Sequence, residues 1–298
     1  KTTEAGAHVY GYDKLYQLTG ATIPTLPQEA YSYDKVGNRK TSAQTEGNWS
    51  YNKNNECLSY NGAVLTYDLN GNTVTETKNG VTTTYNYGAT DRLESVLLPD
   101  GRIAKYKYDP FGRRISKHTG IQTTYFLYAD EGLIGEYGAN GSFNKGYGWR
   151  PSGIWGTNPV FVVENATYYF YHNDHLGTPQ KITGLDGDVV WSATYGAFGK
   201  ATVDPASTVV SNLRFPGQYW DEETELHYNL NRYYAPETGR FVEADPIGFS
   251  AKEINTYRYV QNSPLNSTDP LGLKRLTLAE MTELVRQNNS TFADTKMV

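Results

Sequence analysis

A chain of 298 residues is long enough for one large domain or two small ones, and 26 Tyr and 29 Gly against only 2 Met point to sheets and turns. The 27 basic and 32 acidic residues leave a net charge of −5 with no basic stripe, which argues against a nucleic-acid surface. No run of about 18 apolar residues marks a membrane span, and Lys1-Thr2-Thr3-Glu4 has no apolar segment of a signal peptide, although the chain begins inside a repeat.

Repeats fill residues 1 to 150. Units start at Tyr12-Asp13, Tyr33-Asp34, Tyr51-Asn52, Tyr67-Asp68, Tyr87-Gly88, Tyr108-Asp109 and Tyr128-Ala129, spaced by 16 to 21 residues. Self-similarity at that period indicates a stacked array. Within a unit the form is Tyr-Asp-x-x-Gly followed by alternating residues, as in Tyr108-Asp109-Pro110-Phe111-Gly112 or Val81-Thr82-Thr83-Thr84-Tyr85, which predicts strand, Asx-type turn, strand. Tyr combines an apolar ring with a polar tip, so it can pack between strands and keep its hydroxyl satisfied on a wet face. Cys57 is the sole cysteine, which excludes an internal disulfide and suits folding in the cytosol. In the strand-like Glu56-Cys57-Leu58-Ser59-Tyr60 it reads as a small buried hydrophobe rather than a nucleophile.

From about 151 to 165 the stretch Pro151-Ser152-Gly153-Ile154-Trp155-Gly156-Thr157-Asn158-Pro159 interrupts the repeats as a loop or surface insertion. The next segment carries His172, Asp174 and His175, first-row metal ligands in type, but without a fourth candidate ligand; turn stabilisation is the better reading. Further on, Asp245-Pro246-Ile247-Gly248-Phe249 and Asp269-Pro270-Leu271-Gly272-Leu273 repeat one turn-forming motif, with Pro fixing φ, Gly accepting φ > 0 and Asp bonding its own downstream backbone. The alternating Asn255-x-Tyr257-x-Tyr259-Val260-x-Asn262-x-Pro264 between them predicts a strand that returns the second Asp to the first. Two neighbouring carboxyls resist double ionisation, so one stays an acid while the other works as base on a water, and Arg232 is placed to bind the pair or a developing oxyanion. Beyond Leu273, Thr277-x-x-Glu280 is a capping box, and Leu278, Met281, Leu284 and Val285 share one face of a helix starting over 277 to 287.

The run Gly217-Gln218-Tyr219-x-Asp221-x-Glu223-Thr224-x-Leu226-x-Tyr228-Asn229-x-x-Arg232-Tyr233-Tyr234-x-Pro236-x-x-Gly239-Arg240-Phe241-x-x-x-Asp245-Pro246 closely resembles the RHS repeat-associated core domain of bacterial Rhs and polymorphic toxins. Tyr171-His172-Asn173-Asp174-His175-Leu176-Gly177-Thr178-Pro179, followed by Val190-Trp191-x-Ala193-x-Tyr195-x-x-Phe198-Gly199, is similar to a second hallmark of it, and the repeats resemble that family's YD repeats. The resemblance implies an all-β fold: a hollow β-shell of YD repeats over 1–150, closed by the core domain over 151–273, with a helical segment over 274–298 that begins a C-terminal toxin. It implies that the core domain cuts its own chain between Leu273 and Lys274 as an aspartyl-type peptidase, with Arg232, Asp245 and Asp269 as the catalytic residues and no cofactor or metal. The family often has Asp where this chain has Ala235 and Leu where it has Phe249. Expected partners are the enclosed toxin, secretion or toxin-complex delivery components and an immunity protein, with no nucleic-acid or membrane binding by this part. Such a protein is made in the bacterial cytoplasm and then secreted or injected. Two rival readings are a non-enzymatic YD-repeat surface protein that binds carbohydrate or another cell, and metal-dependent hydrolysis at His172, Asp174 and His175.

Overall fold

The computed structural model describes residues 2–3, 6–43, 47, 49–251 and 253–295. Sixteen strands from Ser50–Tyr51 to Ala201–Val203 form one sheet in which every strand pairs antiparallel with its neighbours in sequence. The sheet continues without a break across residue 150. A separate four-stranded meander, Val9–Tyr12, Leu18–Thr22, Glu29–Tyr33 and Arg39–Ser42, precedes it.

Each predicted Tyr-Asp turn forms as its chemistry requires. Asp109 Oδ1 accepts the N–H groups of Phe111 and Arg113 at 2.9 Å each, and Gly112 closes the turn at φ 80°. Asp34 and Asp68 do the same for the residues two and four positions on. Just before the Tyr the ladder slips by one residue, as between Lys107 and Tyr108 or Leu127 and Tyr128. Such a bulge takes a carbonyl out of the ladder, and the next unit's Tyr claims it. Tyr108 Oη donates to Leu93 O at 2.6 Å, and Leu93 is the residue opposite Tyr87 in the preceding bulge. Tyr33 to Leu18 O, Tyr51 to Arg39 O, Tyr67 to Cys57 O and Tyr128 to Arg114 O repeat the stitch at 2.6 to 3.0 Å.

The expectation that these hydroxyls face a wet wall is therefore corrected: their partners are backbone carbonyls of the unit before. The stitch also outlasts the recognisable Tyr-Asp units. Trp149 Nε1 donates to Leu133 O at 2.7 Å, and Asn173 Nδ2 to Pro159 O at 2.8 Å.

A second four-stranded sheet, Tyr219–Asp221, Leu226–Asn229, Arg232–Ala235 and Arg240–Phe241, covers one face of the large one. Its Tyr219, Leu226, Tyr228 and Tyr233 share a core with Val96, Tyr106, Phe126, Tyr147, Ile182 and Trp191 of the large sheet. At the centre lies a charge cluster. Arg114, 1% exposed, holds the fully buried Asp221 through both terminal nitrogens, and Lys117 reaches Asp221 at 2.9 Å and Glu223 at 3.1 Å. Five aromatic rings surround the Arg114 guanidinium, Tyr228 nearest at 4.4 Å.

Two smaller expectations change. Residues 255–264 do not form a strand. Asn255, Tyr257 and Tyr259 are buried in alternation as predicted, but the backbone makes one isolated bridge, Arg240 to Arg258, and then a 3-10 turn over Val260–Asn262. Side-chain burial, not a ladder, imposes the period of two there. The stretch around Trp155 is packed rather than a surface insertion: Trp155 stacks on Tyr128 and Gly156 bonds Glu131 and Gly217 through its backbone.

Candidate active site

Leu230 adopts φ 52° in the turn after Leu226–Asn229, so the next strand opens on Arg232 directly opposite Asn229. Arg232 is buried, and its planar fork is used fully. Nη2 lies 3.0 Å from Asp245 Oδ2 and 3.3 Å from Asp269 Oδ2; Nε donates to Gly272 O at 2.6 Å and Nη1 to Thr256 O at 2.9 Å. Its flat face rests 3.6 Å from the centre of the Phe241 ring. One nitrogen thus bridges the two carboxylates from the repeated motif, and the structure brings Arg232, Asp245 and Asp269 together.

Both motifs are closed turns. Gly248 N–H donates to Asp245 O at 2.9 Å, and Gly272 N–H to Asp269 O at 3.3 Å. Asp245 Oδ1 accepts Ile247 N–H at 3.0 Å, whereas Asp269 Oδ1 accepts two N–H groups, Leu273 at 2.9 Å and Lys274 at 3.0 Å. The neighbouring hairpin clamps the second turn further. Asn229 Nδ2 donates to Asp269 O and Asn231 Nδ2 to Leu271 O, each at 2.9 Å. A Cβ at Gly272 would meet Asn229 O at 2.4 Å at a φ of 66°, so only glycine fits beneath the clamp.

Burial raises the Asp245 carboxyl above its usual range, opposed mainly by Arg232. Burial also lowers the Arg232 guanidinium against the pull of Asp269 and Asp245. A third acid, which sequence reasoning did not single out, lies close by: Glu243 is 3% exposed, its Oε2 accepts Tyr233 N–H at 2.7 Å, and burial pushes it up to about 8. Its only signal in the sequence is its place two residues before Asp245. Because its folded value lies above its ordinary 4.5, the native state holds a proton that the unfolded chain has lost between about pH 4.5 and 8. Stability should therefore fall as pH rises through that window, by up to about 1.4 kcal/mol per pH unit. Glu243→Gln, which keeps an acceptor for Tyr233, should flatten the slope in urea unfolding at pH 5 and pH 8; an unchanged slope would remove Glu243 as its source.

The remaining candidates are placed apart from this cluster. Asp174 Oδ1 caps its own turn through Leu176 and Thr178, His172 Nε2 meets Thr183 Oγ1 at 3.0 Å, and His175 Nε2 meets Leu265 O at 3.0 Å. No metal-holding group of His, Cys, Asp and Glu occurs among the described residues. Cys57 is buried, and burial raises its thiol. Ala235, three residues beyond Arg232 in one strand, faces the opposite side of the sheet, so an acid there would not reach the guanidinium.

A repeat-built antiparallel sheet stitched by Tyr-Asp turns and closed over an inner sheet defines a YD-shell. The sequence profile of the teneurin YD-shell family matches residues 2–265, and the chain belongs to that family, on the Rhs/YD-shell branch that its toxin relatives share. It is 33% identical over 276 residues to the tRNA3(Ser)-specific nuclease WapA of Bacillus spizizenii, covering 88% of this chain and 12% of the relative. It is 30% identical over 304 residues to double-stranded DNA deaminase toxin A of Burkholderia cenocepacia, covering 90% of this chain and 21% of the relative. The chain thus spans between a tenth and about a fifth of these proteins. Among solved structures, the Photorhabdus luminescens Tc holotoxin pore superposes with a TM-score of 0.69 at 20% identity over 90% of this chain and 15% of that one, a likeness of fold.

Proposed function

We propose that this chain is part of the encapsulating shell of a bacterial toxin and that its core domain, residues 151–273, cuts the chain once between Leu273 and Lys274. The observation that carries the proposal is the position of the Leu273–Lys274 peptide: its N–H is held by Asp269, whose other oxygen shares Arg232 with Asp245. Ionised Asp269 takes a proton from a water whose oxygen adds to the Leu273 carbonyl carbon. Asp245, the carboxyl that burial raises, serves as the acid and gives its proton to the departing Lys274 nitrogen as the C–N bond breaks. Arg232 holds the two carboxyl groups aligned. The products are a Leu273 carboxyl and a Lys274 amine.

On this reading residues 1–150 are wall and 274–298 begin the passenger. Its activity is a separate matter from the shell: WapA is named a nuclease and its Burkholderia counterpart a deaminase toxin, two different activities on relatives of the same shell. Delivery components and an immunity protein complete the system, which acts after secretion or injection. Arg232→Lys tests the guanidinium's role, because a lysine ammonium cannot engage Asp245, Asp269, Gly272 O and Thr256 O together. Self-cleavage should slow at least about a hundredfold. A lysine variant cut at the normal rate would leave Arg232 as a structural ion pair.

Enclosure predicts a second outcome. The two fragments should co-purify in mild buffer, part in denaturant, and leave the passenger resistant to added protease; separation on ordinary gel filtration would favour an open array. The rival reading, an intact adhesive YD-repeat protein, is favoured by the half-exposed Tyr125, Phe143 and Tyr168 on the large sheet. It predicts that no Lys274 terminus ever forms.

A further inference from the structure

The cut breaks one bond, and the contacts that hold the chain just beyond it stay. Leu276 and Thr277 pair antiparallel with Thr268 and Ser267, on the near side of the cut. Thr277 N–H donates to Glu280 Oε2 at 2.8 Å, and Glu280 N–H donates to Thr277 Oγ1 at 3.3 Å, so the helix Leu278–Thr295 is capped directly on that short strand. Met281 on the helix is 6% exposed. Most telling, the Lys274 nitrogen already lies 3.0 Å from Asp269 Oδ1.

Resting on the self-cleavage reading, we propose that the Asp269 turn becomes, once the bond is cut, a binding site for the new α-ammonium of Lys274, so that the site that releases the passenger also holds its N-terminus. The proton balance closes. Asp269 leaves the hydrolysis protonated, Asp245 leaves it ionised, and the products are a Leu273 carboxylic acid and a neutral Lys274 amine; one proton passes from Asp269 to the amine, the Leu273 acid returns its proton to Asp245, and an ammonium–carboxylate pair forms across the existing contact. Charge favours the same result. Asp269 and Asp245 both face the single guanidinium of Arg232, and the cut adds the Leu273 carboxylate. The ammonium supplies the missing positive charge. Among the remaining charged groups, Lys274 and Arg275 act on Glu280 of the helix. A hydrogen bond in which both partners are charged is stronger than the amide–carboxylate contact it replaces. The two-residue ladder and the capped helix keep the ammonium in place, and the passenger stays docked after it is severed.

Lys274 provides its own control, because its side chain is exposed and carries a second amine. In a free peptide the α-amine, with a pKa of about 8 against about 10.4 for the ε-amine, reacts roughly a hundredfold faster with an acetylating reagent near neutral pH. In the cleaved full-length protein under native conditions the order should invert, with the ε-amine of Lys274 modified first and the α-amine protected at least about tenfold relative to the same sample in denaturant. General enclosure would slow both amines together, so only a specific site produces the inversion. An α-amine that reacts first in the native sample would overturn the α-ammonium site and leave self-cleavage standing. A preparation in which no Lys274 terminus can be found would overturn both.

Discussion

Asp245→Asn and Asp269→Asn should each stop the proposed self-cleavage, slowing it by roughly a thousandfold or more, since each removes one whole role in proton transfer. Asparagine preserves the turn bonds at both places, while its amide nitrogen replaces the oxygen that faces Arg232 Nη2. Its carbonyl oxygen can still accept Ile247 N–H in the first turn and the Leu273 and Lys274 N–H groups in the second, so the fold and the clamp on the scissile peptide survive. Loss of the cut with a cooperatively folded chain is therefore the expected pairing, measured by a time course of denaturing electrophoresis beside thermal unfolding. Acid-labile Asp-Pro scission is distinguishable, because it would break Asp245–Pro246 or Asp269–Pro270 instead of Leu273–Lys274. If either variant is cut at the wild-type rate, the assignment of two carboxyls to two roles fails.

Asp221→Ala carries the largest expected cost in stability. Asp221 is fully buried and is the carboxylate that Arg114 and Lys117 share between the large sheet and the inner one. Removing it leaves Arg114 buried with its charge uncompensated, and breaking a buried pair from one side costs roughly 3–5 kcal/mol. For a domain of this size that is a fall of roughly 10 °C in melting temperature. Replacing Arg114 and Asp221 together by apolar residues of similar volume should recover most of the loss, since the stranded charge and not the absent bond is the main cost. A single Asp221→Ala variant that melts with the wild type would show the cluster to be peripheral to stability. Because Arg114 Nη1 also meets Tyr233 Oη at 3.2 Å, one residue from Arg232, the loosened inner sheet should slow the cut as well.

Much of this was legible from residue types because local chemistry set the outcome. The Tyr-Asp-x-x-Gly units became bulge, Asx turn and strand wherever the Asp or Asn was present to accept the two N–H groups. The doubled Asp-Pro-x-Gly became two closed turns for the same reason, and Thr277 with Glu280 capped a helix. What was not legible depended on the partner across space. Trp149 and Asn173 perform the stitch of a Tyr, a substitution visible only once the bulge carbonyls of Leu133 and Pro159 are in place. Residues 255–264 alternate like a strand because Asn255, Tyr257 and Tyr259 insert into neighbours that the sequence does not identify. Glu243 and the clamping Asn231 escaped for the same reason: neither stands in a motif, and each acquires its role from the group it faces, the Tyr233 N–H of a strand and the Leu271 carbonyl of a turn. The Ala235 departure pointed the other way. It looked relevant by its distance in sequence to Arg232, and the pleat of the strand separates the two.

The central claim is most directly tested by the intact masses of the full-length protein after purification and denaturation, with N-terminal sequencing of the smaller species. Self-cleavage predicts two species that sum to the chain plus one water, the smaller beginning Lys274-Arg275-Leu276, and a single uncut species from Asp269→Asn. A single uncut species from the wild type, or a new terminus at Pro246 or Pro270 in place of Lys274, would contradict it.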